Sequence, residues 1–346
     1  MTTLRELLNV DYPVIQAPMA GVQDSALTIA VSKAGGLGSL PCAMLTGEKI
    51  REEVARIRTA TDRPFNLNFF CHRPPKANPE RDAAWRQSLQ PYYEELGLEI
   101  TEDAGGASRR PFDEQTAELV AELQPAVVSF HFGLPAPDLL AFIKSNGVKV
   151  LASATTVAEA LWLEQRGADA VIAQGLEAGG HRGHFLSGDL GLHMGLFALI
   201  PQIKSRVKLP VIAAGGIASA EGVNAATQLG AIAAQVGTAY LLCTEAKTSA
   251  IHRDALQSER SSHTEITNVF SGRPARGIVN RLMRERGPIS SSVPDFPNAS
   301  AALAPIRSEA EKLGKGDFSP LWAGQNTLGC AKISADKMTL RLAGVQ

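Results

Sequence analysis

The chain is short of aromatic residues (5%), has no excess of either charge and never runs apolar for long. With Lys+Arg 34 against Asp+Glu 35, the net charge of −1 offers no strong field to nucleic acid or to an anionic membrane surface. No stretch reaches the roughly 18 apolar residues that a membrane span needs. Arg5 and Glu6 stand where a secretory leader would be apolar without a break. The four cysteines, Cys42, Cys71, Cys243 and Cys330, are far apart and form no C-x-x-C pair. That spacing argues against a disulfide framework or a thiolate zinc site, and the expectation is a cytoplasmic protein with reduced thiols. In place of aromatics there is glycine, 31 in all, and much alanine. Such a composition suits helices packed closely on a parallel sheet better than an all-β sandwich.

Short apolar runs recur along the chain: Val14–Met19, Leu37–Pro41, Phe65–Phe70, Ala126–Phe132, Val148–Ser153, Ala170–Gln174, Pro210–Ala214 and Ala231–Val236. Their length and their Val, Ile and Ala content predict strands buried on both faces, as in a parallel sheet. Helices are expected between them, near Ser25–Lys33, Gly47–Thr59, Asp113–Leu123, Pro137–Ser145, Val157–Arg166, Leu192–Lys204 and Ser219–Leu229. Eight such units predict an α/β (β/α)8 TIM barrel, which takes about 250 residues. The barrel is assigned to 1–70 and 112–240. Two pieces remain, the excursion 71–111 after the third strand and the tail 241–346, and together they are expected to form a smaller lid or second domain. The excursion should hold a charged helix from about Pro79 to Leu96, capped by Asn78, and a loop over Asp103–Arg110.

Chemistry is expected at the carboxyl ends of the strands. Gly215-Gly216 follows the seventh strand, and Gln235-Val236-Gly237-Thr238 spans the end of the eighth. Glycines in these two adjacent turns let backbone N–H groups approach an anion, which predicts a phosphate-bearing ligand. The sixth turn, Gln174-Gly-Leu-Glu-Ala-Gly-Gly-His-Arg-Gly-His184, puts a polar residue at the end of a buried strand and then clusters His181, Arg182 and His184. His181 is the candidate general base or acid. The spacing of His181 and His184 would allow a metal, but a convincing third ligand is missing, so no metal site is assigned. Asn68 and His131 face the same rim as candidate ligand-binding groups, and Cys71 is read as an inert thiol. No lysine ends a predicted strand, which weighs against Schiff-base chemistry. Gly35-Gly-Leu-Gly38 precedes a strand instead of opening a helix, so it is not a dinucleotide fingerprint.

The motifs Gln16-Ala-Pro-Met-Ala-Gly-Val22, Asn66-Leu-Asn-Phe-Phe-Cys-His-Arg-Pro74, Val127-Val-Ser-Phe-His-Phe-Gly133 and Gln174–Gly183 together resemble the nitronate monooxygenases, formerly called 2-nitropropane dioxygenases. The resemblance covers about residues 10–240. It implies a TIM barrel holding non-covalent FMN and oxidising alkyl nitronates with O2 to a carbonyl compound and nitrite. Carried over, Asn68 and Gln174 would hydrogen-bond the flavin ring, and Ala17, Pro18 and Met19 would line its edge. Gly179, Gly180, Gly215, Gly216 and the run Gln235, Val236, Gly237 and Thr238 would hold the ribityl-phosphate end. His181 matches the catalytic histidine, with His131 beside it as a substrate-binding group. The expected partners are a small nitro compound and O2, with no nucleic acid and no membrane; monomer and homodimer both stay open. Family members carry tyrosine and lysine in the segment over the substrate pocket, whereas Pro294–Ala304 has neither, so an anionic substrate would lose a polar clamp. Two alternatives remain, an NAD(P)H-dependent flavin reductase of quinones or enoyl thioesters, and a flavin-free sugar-phosphate isomerase or lyase.

Overall fold

A computed structural model describes residues 3–100 and 109–345, so the expected loop Asp103–Arg110 falls, up to residue 108, outside the described residues. The apolar runs form strands β1 (Val14–Gln16), β2 (Gly38–Pro41), β3 (Phe65–Phe70), β4 (Val127–His131), β5 (Lys149–Ala154), β6 (Ala170–Gln174), β8 (Val211–Ala214) and β9 (Ala233–Val236). Between β6 and β8 lies a two-residue strand, β7 (Gly180–His181), and the tail adds β10 (Thr264–Thr267) and β11 (Ala275–Ile278). The eight long strands pair in parallel in the order β1-β9-β8-β6-β5-β4-β3-β2. A parallel bridge between Ile15 and Leu37 closes the ring, with Leu37 N donating to Val14 O at 3.0 Å and Gln16 N to Leu37 O at 2.9 Å. This is the TIM barrel.

Alternation along each strand builds two cores. Inward residues Ile15, Leu37, Val127, Leu151, Ile172 and Ile212 fill the barrel, and Leu7 and Leu8 of the helix Leu4–Leu8 plug its amino end. Outward residues such as Val128, Val150, Val171 and Val211 pack against the surrounding helices. Those helices lie at Ser25–Lys33, Gly47–Ala60, Glu114–Leu123, Pro137–Ser145, Val157–Gln165, Leu196–Lys204 and Ala220–Gln228. The sixth begins four residues later than the expected Leu192. Residues Leu190–Leu192 instead make a 3-10 turn capped by Asp189, and the Glu177 carboxylate accepts from Leu196 N at 2.8 Å.

Excursion and tail share an apolar cluster. The expected helix from Pro79 divides into Pro79–Ser88 and Gln90–Glu95, because Pro91 has no N–H to continue the ladder. Asn78 caps the first piece through Arg81 N. Trp85, Leu89, Tyr92 and Tyr93 pack on Leu282, Met283, Leu303 and Ile306 of the tail helices Arg281–Arg286 and Ala299–Lys312. Tyr93 OH donates to Ala302 O at 2.7 Å, and Arg281 meets Glu95 at 2.8 Å. The last helix, Ala335–Leu342, lies elsewhere. Its Ala335, Met338 and Leu342 pack with Val14, Leu27, Val31 and Val223 on the barrel wall. No helix among the described residues is long and apolar enough to cross a membrane.

Candidate active site

At the carboxyl rim of the barrel lies a cleft of about 1500 Å³, counting its open mouth. Its walls come from the turns after most of the strands and from the tail residues Leu241, His252, Pro320, Trp322, Gly324 and Asn326. Its lining includes no Asp, Glu or Lys, and Arg109 is its one permanently charged side chain among the described residues.

The sixth turn folds back as β7, which pairs antiparallel with β11, Ala275 opposite His181 and Arg276 opposite Gly180. With β10 this makes a three-stranded sheet, so the tail carries the loop that bears the imidazole. Two close approaches require glycine here. A Cβ on Gly179 would stand 2.5 Å from Gly324 N, and one on Gly183 would stand 2.7 Å from the His131 ring. Within the loop, Gln174 Nε2 donates to His181 O at 2.9 Å and Gln174 Oε1 accepts from Gly183 N at 2.8 Å. Arg182 is fully buried and donates to Gly175 O at 2.7 Å, Gln174 O at 2.9 Å and His193 Nδ1 at 3.3 Å. Side-chain bonds to backbone thus fix both ends of the turn.

His181 Nε2 lies 2.8 Å from Ser271 Oγ, and among the described residues its Nδ1 has no protein partner. Phe132, Phe296 and Trp322 surround the ring at centroid distances of 6.2, 5.3 and 5.6 Å. Burial and then the charges of Arg109, His131, Arg273 and His72 hold His181 well below the ordinary imidazole range, so it is neutral at pH 7. His131 fixes the loop from below. Its Nε2 donates to His181 O at 3.1 Å, which leaves Nδ1 to accept from Ser153 Oγ at 3.0 Å. Burial pushes His131 down to about 4. The Cys71 thiol is pushed up by burial and is no nucleophile at neutral pH.

The opposite end of the cleft is floored by glycine. Gly215 (φ +134°) and Gly216 (φ +67°) turn the backbone after β8, and Gly237 follows β9. The N–H groups of these three donate to no described protein group. Gln235 Oε1 is buried without a partner. Between the two ends, Ala17–Met19 form a turn pinned by Gln23, whose Oε1 accepts from Met19 N at 2.8 Å and from Gln16 Nε2 at 2.7 Å. Asn68 Nδ2 donates to Ser129 Oγ at 3.0 Å from the floor. Unpaired N–H groups at one end, a long apolar wall and scattered amide groups suit a flat ring system carrying an anionic tail.

A family model described as nitronate monooxygenase matches residues 1–342. The chain belongs to that family. Nitronate monooxygenase of Pseudomonas aeruginosa is 41% identical over 334 residues, covering 96% of this chain and 95% of that one. The enzyme of the same name from Paraburkholderia phytofirmans is 39% identical over 341 residues, covering 98% and 93%. Among solved structures, the nitroalkane oxidase of Streptomyces ansochromogenes superposes with a TM-score of 0.89 at 36% identity, covering 99% and 96%. Nitronate monooxygenases are flavin-dependent oxidoreductases, and this chain is accordingly an enzyme that oxidises nitronates using O2.

Against this family frame, the cleft gathers nearly all the residues that the sequence nominated. Ala17, Pro18, Met19, Asn68, His131, Gln174, Gly179, Gly180, His181, Gly215, Gly216, Gln235, Gly237 and Thr238 all line it. Val236 does not. Strand alternation turns Gln235 toward the cleft, so Val236 packs outward against Val14, Leu27 and Val31. Sequence reasoning missed Arg109, Ser153, Ser271, Phe296 and Trp322. The last three come from the tail, and no local pattern marks them as neighbours of His181.

Proposed function

We propose that the flavin is FMN and that the chain converts small alkyl nitronates and O2 to a carbonyl compound and nitrite. The observation that carries this reading is the pairing of a glycine-floored anion cradle at one end of the cleft with a neutral, partly free imidazole at the other. One cradle for one phosphate group suits a mononucleotide. Gly215, Gly216, Gly237 and Thr238 would hold the phosphate, Asn68 and Gln235 the ring amides, and Ala17–Met19 the ring edge. Gln174 has both polar atoms engaged within its own loop, so one N–H is left for a ligand. The bound flavin supplies the electron transfer that links nitronate to O2.

His181 works on the substrate side. A nitronate is already deprotonated, so His181 needs only to donate an N–H to a nitro oxygen. That is available when Ser271 donates to Nε2 and the ring proton sits on Nδ1. With the opposite tautomer, Nδ1 carries the lone pair and can take the α-proton of a neutral nitroalkane. Ser271 also lies 3.3 Å from Arg273 O, which gives its proton an alternative acceptor and lets it serve either tautomer. The excursion 71–111 and the tail as far as about residue 330 would form the cap that keeps water from this end.

The test is a visible spectrum of the purified protein, then oxygen uptake and nitrite release on adding a nitronate in air. A yellow protein that releases nitrite supports the reading. A colourless protein that never retains flavin refutes it in favour of a sugar-phosphate enzyme. Rapid anaerobic bleaching by NADH, without nitrite release in air, refutes it in favour of a reductase.

A further inference from the structure

Arg109 has no role in the proposal above, although it lines the same cleft. It lies where the excursion returns to β3, three residues before Phe112, whose N–H donates to Phe70 O at 2.7 Å, and in the ring order β3 stands diametrically opposite β8, whose turn forms the proposed phosphate end. The guanidinium therefore lies across the mouth from the anion cradle, on the imidazole side. It sits 5.6 Å from the centroid of the Phe296 ring, and that ring centroid is 5.3 Å from His181. Among the described residues its guanidinium makes one hydrogen bond, from Nη1 to Ser300 Oγ at 3.3 Å, and no ion pair. Burial pushes its pKa down but leaves it charged at neutral pH.

We infer that Arg109 is a specificity-determining residue that receives the negative charge of the nitronate head beside His181. The inference rests on the proposed reading of the site and deepens it. A partly buried guanidinium that meets no carboxylate among the described residues binds an anion more strongly than the same group in water. Neutral nitroalkane gains little from that charge, so Arg109 separates two substrates that share one carbon skeleton and differ by a proton. It also supplies a cationic contact on the wall where the Pro294–Ala304 segment offers neither lysine nor tyrosine. The Phe296 ring lies beside the fork, and Ser300 holds one of its corners.

The experiment compares wild type, Arg109→Gln and Arg109→Lys on one compound offered as nitronate and as neutral nitroalkane. Calorimetric binding of nitrate, a planar anion that needs no turnover, is measured alongside. The expected result is a fall of about tenfold or more in the nitronate-to-nitroalkane ratio of kcat/KM for Arg109→Gln, carried by nitronate KM. Nitrate affinity falls with it, and Arg109→Lys recovers part of both. Equal losses on the two substrates, or a nitrate affinity unchanged in Arg109→Gln, overturn the inference. If Arg109→Gln does not fold, Arg109→Lys decides: a nitronate KM and nitrate affinity identical to wild type overturn it, and a shift in both supports it. A wild type that releases no nitrite from nitronate refutes the proposed function instead, and the nitrate comparison still judges Arg109.

Discussion

Replacing Arg182 with methionine removes a fully buried guanidinium while roughly preserving its volume. Three bonds go with it, to Gly175 O, Gln174 O and His193 Nδ1. Hydrogen bonds to charged groups contribute about 1.5–3 kcal/mol each, and a carbonyl left dry costs about 1–3 kcal/mol. Against this stands the relief of a buried charge that no carboxylate contacts directly, worth several kcal/mol. Burial lowers the Arg182 pKa to about 10, the same penalty seen in protonation, yet leaves the group charged at neutral pH. The balance is a destabilisation of about 3 kcal/mol, or a fall in Tm of roughly 6–12 °C at the size scaling of larger domains. Activity should fall further than stability explains. The Gln174 carbonyl released by the mutation belongs to the residue whose side chain holds His181 O and Gly183 N. Arg182→Lys keeps the charge but reaches fewer acceptors, so it should recover part of both losses. Thermal melts and kcat for the three proteins, at a temperature where all are folded, form the assay. A methionine variant that melts within about 2 °C of wild type and keeps its kcat would refute the claim that this guanidinium anchors the loop.

Replacing His181 with asparagine should reduce turnover of a neutral nitroalkane at least tenfold more than turnover of its nitronate, since only the former needs a base; parallel loss on both would remove that role. Gly237 has a negative φ of −112°, and a Cβ there would meet Ala17 Cβ at 3.4 Å, an ordinary contact, so the backbone there admits the first carbon of Gly237→Val. Its methyls would enter the proposed phosphate cradle, and the purified variant should lose most of its flavin absorbance; full retention would place the phosphate elsewhere. His72, His131, His193 and His252 are held at about 4 by burial, and His184 at about 3. Because the unfolded imidazoles take up protons near pH 6.5 and the folded ones do not, stability is full above about pH 6.5 and falls steeply as pH drops toward 4. Urea melts between pH 7.5 and 4.5 check this, and a flat profile would show that these rings are solvated.

The barrel was legible because its strands are short, apolar and buried on both faces, so each announces itself without knowledge of its neighbours. Runs such as Phe65–Phe70 and Ala170–Gln174 coincide with β3 and β6. The glycine-floored end of the cleft was legible for a related reason, since Gly215, Gly216 and Gly237 shape backbone that a local pattern describes. The surroundings of His181 were not. Ser271, Phe296 and Trp322 reach His181 from 90 or more residues away along the chain, through sheet pairing and aromatic packing that leave no local periodicity. Arg109 was hidden in a charged excursion where arginines ordinarily face solvent. The break at Pro91 and the late start at Leu196 were readable in principle, from a proline without an N–H and from a carboxylate nineteen positions earlier that caps the helix.

Because β7 is a strand of the tail's own sheet, the loop that bears the imidazole belongs to barrel and tail alike. A recombinant barrel cut after β9 would leave the imidazole's loop held by Gln174, Arg182 and His131 without its strand partner, and a chimera exchanging C-terminal regions between relatives would exchange that partner along with the pocket's ceiling. Any substitution within residues 264–278 therefore reaches the His181 loop, however far from the barrel it falls in the chain.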